Sequence, residues 1–369
     1  MNNDELRVSS LELFFDLVFV FTITQLTAVL AHHPNGESLG QILLMLASIW
    51  WMYAAFAWLT NAVPPTRTAL RLPLMAGMAA FFAISLTIPT AFDGDGVVFA
   101  CAYLAVIVVH TVLYTQAASW SVAGVWSFAR MNFVAAALIL AATIVGGTWE
   151  YVLWALAVPI FAITPWLVPE EAGWIKPSHF VERHGLVVIV AIGESVVAVG
   201  IGAAELAVDA ELIVVAVLGL LLCAGLWWSY FGADDDEQAE RALTDAPAAR
   251  RAWIALESFG CAHYFLLLGI VLTAVGLEEA TGHGYEQLTT SQAFALGGGV
   301  AMFLAADVGF RHLLGLGRSV HRGVAAVLAV ATVALGAGVA AIAQLALLVV
   351  ILAVALAGEG TTPKRGEAA

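Results

Sequence analysis

The residue best placed to do chemistry is Glu194. It stands in Ala191-Ile-Gly193-Glu194-Ser195-Val-Val197, with no Asp, Glu, Lys or Arg within ten positions on either side. A charged group in the middle of such a run costs about 2.5–3.5 kcal/mol to insert into a bilayer, so it needs a partner or a task. Two readings stand side by side: a carboxylate that carries a proton or cation, and a neutral glutamic acid that ties two helices together. Gly193 permits close helix approach, and Ser195 can hydrogen-bond across an interface. Arg183 lies eleven residues earlier; eleven steps of 100° return to within about 20° of the same helix face, roughly 16 Å away along the axis. His179 is one turn before Arg183, so His179, Arg183 and Glu194 form one stripe. Glu12 and Asp16 are likewise neighbours on one helix face. Asp16 is flanked by Phe14, Phe15, Leu17 and Val18, so it must point at an interior cation, for which Arg71, Arg130 and Arg183 are the candidates. The pair they would form fixes helix register or serves transport. Arg183 reads equally as a cytoplasmic anchor.

Other groups extend the pattern. Thr22, Thr24, Gln25 and Thr27 continue a polar stretch beyond Asp16; Glu182 and His184 flank Arg183; His110, Glu257, His263 and Asp307 stand in other apolar runs. A lone membrane histidine is an ordinary hydrogen-bonded core residue or a proton relay. Asp16, His110, His184, Glu257, His263 and Asp307 all fall in the same half of their helices, which suggests a water-accessible vestibule on that side, closed on the other by apolar helices. No His-x-x-x-His or Glu-x-x-His spacing marks a metal site, no nucleophile elbow surrounds Ser195, and no phosphate-binding glycine loop is present. The sequence therefore names no catalytic residue, no metal and no cofactor. Asp234-Asp-Asp-Glu237 lacks the spacing of a calcium loop and reads as a solvated acidic loop. Cys101, Cys223 and Cys261 read as small apolar side chains.

The elements that must hold these residues are membrane spans. Only 11% of the residues are charged and mean hydropathy is +0.92, too little polar surface for a water-soluble chain. Runs long enough to cross a bilayer occupy 11–31, 39–60, 70–91, 97–116, 131–146, 150–168, 184–203, 210–231, 253–277, 291–310, 320–335 and 339–357. The last two are divided at Gly336-Ala-Gly338, because a single helix over both would be roughly 57 Å long. With the N-terminus inside, all 14 Lys and Arg fall on the inner side: Arg7, Arg67, Arg71, Arg130, Lys176, Arg183, Arg241, Arg250, Arg251, Arg311, Arg318, Arg322, Lys364 and Arg365. The outer loops receive only acids and histidines, Glu205, Glu278, Glu279 and Glu286 among them. That separation puts both termini in the cytoplasm. The first run has no cleavage site after it and reads as a retained span. So few basic residues exclude a nucleic-acid partner; the partners expected are lipid, a small solute or ion and, in a homo-oligomer, a second copy.

The halves echo each other. Trp50-Trp-Met-Tyr53 matches Trp227-Trp-Ser-Tyr230, Glu12 matches Glu182, Arg71 to Gly77 matches His263 to Gly269, and Arg130 matches Arg322, with the offset rising in order. Thr24-Gln25 then falls on Glu194-Ser195. The fold class expected is an all-α polytopic bundle of about twelve spans, as parallel six-helix repeats over 1–168 and 169–357 with a tail at 358–369. Parallel repeats occur in transporters, with the site between the halves.

Two stretches carry a resemblance. Ser10-Leu-Glu-Leu-Phe-Phe-Asp-Leu-Val-Phe-Val20 and His179-Phe-Val-Glu-Arg-His-Gly-Leu-Val-Val-Ile-Val-Ala-Ile-Gly-Glu-Ser195 resemble the bacterial low-temperature-requirement A family of multi-pass membrane proteins. The resemblance implies an inner-membrane location and no settled activity. Phe14-Phe-Asp16 is similar to the Phe-Ser-Asp first-helix motif of a potassium-channel family built from six-helix repeats, but Phe15 replaces the serine and the second half has no such motif. The function expected is transport or permeation of a small solute or ion, linked to protons through an intramembrane carboxylate. An enzyme acting on lipid or quinone, and a non-catalytic sensor or scaffold, fit the same residues.

Overall fold

The computed structural model describes residues 8–116, 122–167, 175–204, 206–232, 235–317 and 320–360. Arg7, Glu205, Asp234, Arg318, Lys364 and Arg365 lie outside the described residues. Among the described residues there are helices and turns and no strand, as long apolar runs in lipid require, since each must satisfy its own backbone.

The first six helices are α1 (Ser10–His32), α2 (Gly36–Ala62), α3 (Thr68–Thr87), α4 (Gly96–Thr115), α5 (Val122–Val145) and α6 (Gly147–Leu167). Then follow α7 (Pro177–Ala203), α8 (Ala210–Phe231), α9 (Asp235–Asp245), α10 (Ala248–Ala255), α11 (His263–Gly282), α12 (Thr290–Leu314), α13 (Val320–Ala331), α14 (Val333–Gly338) and α15 (Ala341–Gly360). Among the described residues ten helical stretches are long and apolar enough to cross a bilayer, and the other two expected spans, the fifth and sixth, are helical as α5 and α6. The division of the last apolar stretch is present: α14 ends at Gly338 and α15 starts at Ala341.

Three expectations need correction. Where it is described, at 235–237, the acidic run is helical and not a loop: α9 begins at Asp235, whose side chain is buried, while Asp236 and Glu237 are exposed. The ninth span runs well past 253–277, entering from α10 through a π-helical turn at Leu256–Ala262 and continuing as α11 to Gly282. Glu278 and Glu279 therefore belong to the last turns of a helix and not to a loop. The helix of the fifth span begins earlier than expected, at Val122, so Arg130 lies within α5, at the start of its apolar stretch Ala129–Val145.

By internal packing the chain forms two compact units: Met1–Val29 with Gly36–Val187 and Ala246–Trp253, and Leu30–Asn35 with Val188–Asp245 and Ile254–Ala369. In the first unit, aromatic rings join α1, α2 and α3. Phe15 stacks on Tyr53 at 5.4 Å and meets Phe81 edge-on at 5.2 Å, geometries worth about 0.5–1.5 kcal/mol each beyond burial. The Thr22 and Ser85 hydroxyls meet at 2.7 Å, and Trp51 Nε1 donates to Asn132 Oδ1 at 2.9 Å, tying α2 to α5.

In the second unit α11 and α12 are in backbone contact. A Cβ built on Gly299 would lie 2.5 Å from the Thr273 nitrogen, so the glycine run at 297–299 is a packing device, as small residues are in membrane helix pairs. The α12 N-terminus carries a capping box between Thr289 and Gln292, and its C-terminus is closed by Gly315 at φ 71°, in the left-handed region.

Candidate functional site

In the first unit the aromatic packing of α1 on α2 turns Asp16 and Glu12 inward. Of three candidate cations, Asp16 takes Arg183: Nη2 lies 3.0 Å from Oδ1 and Nη1 donates to Oδ2 at 3.4 Å. Tyr53 of α2 donates its hydroxyl to the same carboxylate at 2.5 Å, and the guanidinium carbon stands 5.9 Å from the Tyr53 ring centre. Arg183 and Asp16 are each 1% exposed, so the pair is buried. One turn along both helices, His179 Nε2 meets Glu12 at 3.2 Å. The Asn61 amide fixes the tautomer. Its oxygen accepts from the Lys176 backbone N–H at 2.9 Å, and its nitrogen faces His179 Nδ1 at 3.3 Å. Nδ1 is therefore the acceptor, and Nε2 carries its proton toward Glu12. Burial holds the Lys176 ammonium, just ahead of α7, below its ordinary pKa.

The second unit carries a separate cluster. Arg322 of α13 reaches Asp307 of α12 at 2.5 Å, the Ser229 carbonyl of α8 at 2.5 Å and Glu359 of α15 at 2.8 Å. Arg311 pairs with Asp235 of α9, whose Oδ2 is also 4.0 Å from Arg322. Beside it, His263 receives the Tyr230 hydroxyl at 2.8 Å, while its other ring nitrogen meets the Ser258 carbonyl of the π-helical turn at 2.9 Å. Glu194 and Ser195 lie in the part of α7 that belongs to this unit. Glu194 is 3% exposed and Ser195 is fully buried, its hydroxyl making no hydrogen bond. Glu194 is within electrostatic reach of Glu278, as is His32.

The family model for the bacterial low temperature requirement A protein (LtrA) matches residues 7–357. The chain belongs to the LtrA family. It is 29% identical over 320 residues to "Uncharacterized protein RA0937" of Rhizobium meliloti (strain 1021), a match covering 82% of this chain and 77% of that protein. No solved structure matches, and the similarity to the potassium-channel family is not shown by any of these comparisons.

Within this LtrA chain the remaining candidates are dispersed. His110 bonds the Ala55 carbonyl at 3.2 Å and packs on Phe56 and Tyr114, the surroundings of a core histidine. His184 turns back onto the Phe180 carbonyl at 2.8 Å and meets Trp50 edge-on. Thr24 and Gln25 are half-buried, with the Thr24 hydroxyl on the Val20 carbonyl. Glu182 and Glu257 are exposed. Among the described residues no group of three or more His, Cys, Asp or Glu side chains comes together as a metal site. An open apolar groove of 580 Å³ runs along α12 and α13, lined by Val308, His312, Val320, Val324, Val327 and Leu328 with two glycines. Sequence reasoning missed Asn61, Asp235, Arg311 and Glu359 as partners of the LtrA clusters; it noted Tyr53 and Tyr230 only as repeat matches, and Arg322 as a repeat match and an inner-side basic residue. The Trp-Trp-x-Tyr signal was available for the tyrosines; nothing local marks the others.

Proposed function

We propose that this LtrA-family chain is a proton-linked transport or permeation protein for a small solute or ion in the bacterial inner membrane. Glu194 is its working carboxylate, and the Asp16–Arg183 pair is its inner ion-pair gate. Both termini are cytoplasmic, and 1–168 and 169–357 act as two six-helix repeats. The observation that carries the reading is the burial of Glu194 inside a helix long and apolar enough to span the bilayer. A carboxyl there costs about 2.5–3.5 kcal/mol; a glutamine of the same shape would pack at lower cost, so the acid is kept for what it can bind.

The Asp16, Arg183 and Tyr53 contacts support a gate. Buried ion pairs rarely stabilise more than well-packed apolar groups would, and their best use is to define alternative states. Opening the pair would expose two charges at one helix end, which requires water or a passing ion to receive them.

The test is flux. Purified protein in liposomes, given a pH gradient or a cation gradient, moves protons or the cation, and Glu194→Gln stops it. Wild-type flux in the variant, or no flux in the parent protein for any small ion tried, refutes the reading. Recovery of a modified lipid or quinone would favour the enzyme instead.

A further inference from the structure

The last turns of α11 carry two adjacent acids in different surroundings. Glu279 is engaged: Gln292 donates to its carboxylate at 2.6 Å, and His283 lies 3.8 Å away. Glu278 has neither partner. Glu194 of α7 and His32 at the end of α1 lie within its electrostatic reach. The backbone packing explains how. Gly202 of α7 lies directly against the Glu278 carbonyl, where any Cβ would collide, and Thr281 closes the same contact. Gly219 of α8 fits against Val199 of α7 and Leu277 of α11. Thus α7, α8 and α11 are drawn together by glycines just where Glu278 emerges, and His32 belongs to the same compact unit.

Depth separates the two acids. Glu278 is half-buried four residues from the end of its helix, whereas Glu194 is 3% exposed nine residues from the end of α7. Gly202, level with the Glu278 carbonyl, is eight residues beyond Glu194, so at 1.5 Å per residue the two acids differ in depth by roughly 12 Å. Helical side chains lean toward the helix N-terminus, so Glu278 reaches inward from the rim. Next to Glu194, the Ser195 hydroxyl is fully buried and makes no hydrogen bond. A buried hydroxyl without a partner is costly, and a ligand held at Glu194 would supply one.

We propose that Glu278 is the outer-rim carboxylate of the path to Glu194, drawing a proton or a monovalent cation from the outer surface to the buried carboxyl and the Ser195 hydroxyl. This rests on the transport reading above. The two acids present like charges to the incoming cation, while Glu279 is held aside by Gln292 and His32 and His283 stand at the rim. The ligand needs no metal-type cage: it passes from one carboxylate to the next.

The experiment uses the full chain in liposomes, with three parallel arms: an internal pH dye, a sodium chloride gradient and a potassium chloride gradient. Glu278→Gln is expected to raise the cation or proton concentration for half-maximal flux about tenfold, the range of electrostatic focusing, while leaving the maximal rate within about twofold. Glu279→Gln is expected to leave both unchanged. Whichever arm responds names the ion. An unchanged half-maximal concentration in Glu278→Gln, with Glu194→Gln still abolishing flux, overturns the rim role and leaves the transport reading intact. A second readout does not depend on flux. A hydrophobic carbodiimide labels protonated buried carboxyls, and mass spectrometry of the labelled protein is expected to find Glu194 modified about threefold more slowly in Glu278→Gln, because a like charge nearby favours the protonated acid. Equal labelling overturns the proposal even if the protein moves no ion. A melting temperature matching the parent protein shows that Glu278→Gln is folded.

Discussion

The two charge clusters of this LtrA-family protein are built from similar parts and differ in what meets their second carboxylate. In the first unit Asp16 pairs with Arg183 under Tyr53, and the neighbouring carboxylate, Glu12, is met by an imidazole, His179. In the second unit Asp307 pairs with Arg322, and the neighbouring carboxylate, Asp235, is met by another guanidinium, Arg311. A guanidinium keeps its charge at every pH a cell meets, whereas an imidazole gains or loses it with one proton. Arg322 also holds a backbone carbonyl and Glu359, so one side chain fastens α8, α12, α13 and α15. The second cluster is thus a brace. The first holds its second carboxylate through a single imidazole contact and fastens fewer helices, which makes it the better candidate for a moving part.

Arg322→Met should separate the two most sharply. It strands Asp307 and frees Glu359 and the Ser229 carbonyl, a loss of about 3–5 kcal/mol, read as a fall in melting temperature and in folded yield. If Arg322→Met melts with the parent protein, the brace is not one. Next in size, Arg183→Gln with Asp16→Asn removes both charges of the first pair and keeps hydrogen-bonding shapes. Its expected cost is about 1–2 kcal/mol, with ion flux lost although the protein folds. The same exchange at the second pair, Arg322→Gln with Asp307→Asn, should weaken folding more and flux less. The reverse ranking would break the comparison. Gly276→Ala forces a Cβ into Leu296 on α12 and should cost about 1–3 kcal/mol, with no change in the ion selectivity of the flux that remains. The smallest effect is expected at Gly315, where alanine must adopt φ 71°: about 1 kcal/mol, seen as a small shift in thermal midpoint.

What could be read from the sequence follows from what leaves a local mark. Membrane spans announce themselves over 20 residues, so their order and the break after Gly338 were legible. Asp16 was legible as a residue in need of a cation because Phe14, Phe15, Leu17 and Val18 left it no other surroundings, and Arg183 was among three possibilities. Choosing between them needs the packing of helices 167 positions apart, which no local pattern records. The acidic run failed for another reason. Asp235 reads as solvated because α9 offers only Ala239 and Leu243 as a buried apolar face, and its partner Arg311 lies 76 positions away. Glu278 was assigned to a loop because hydropathy falls at the last turn of α11, although the helix continues. His179 was read as one stripe with Arg183 and Glu194, but its bond to Glu12 depends on how α1 packs against the start of α7.

The central claim is that Glu194 works through its ionisable proton and not through its shape. Reconstituted protein carrying Glu194→Asp and Glu194→Gln, compared with the parent chain at equal protein-to-lipid ratio under an imposed pH gradient, tests it most directly. Aspartate should retain measurable flux and glutamine none. Glutamine transporting at the parental rate would contradict the account.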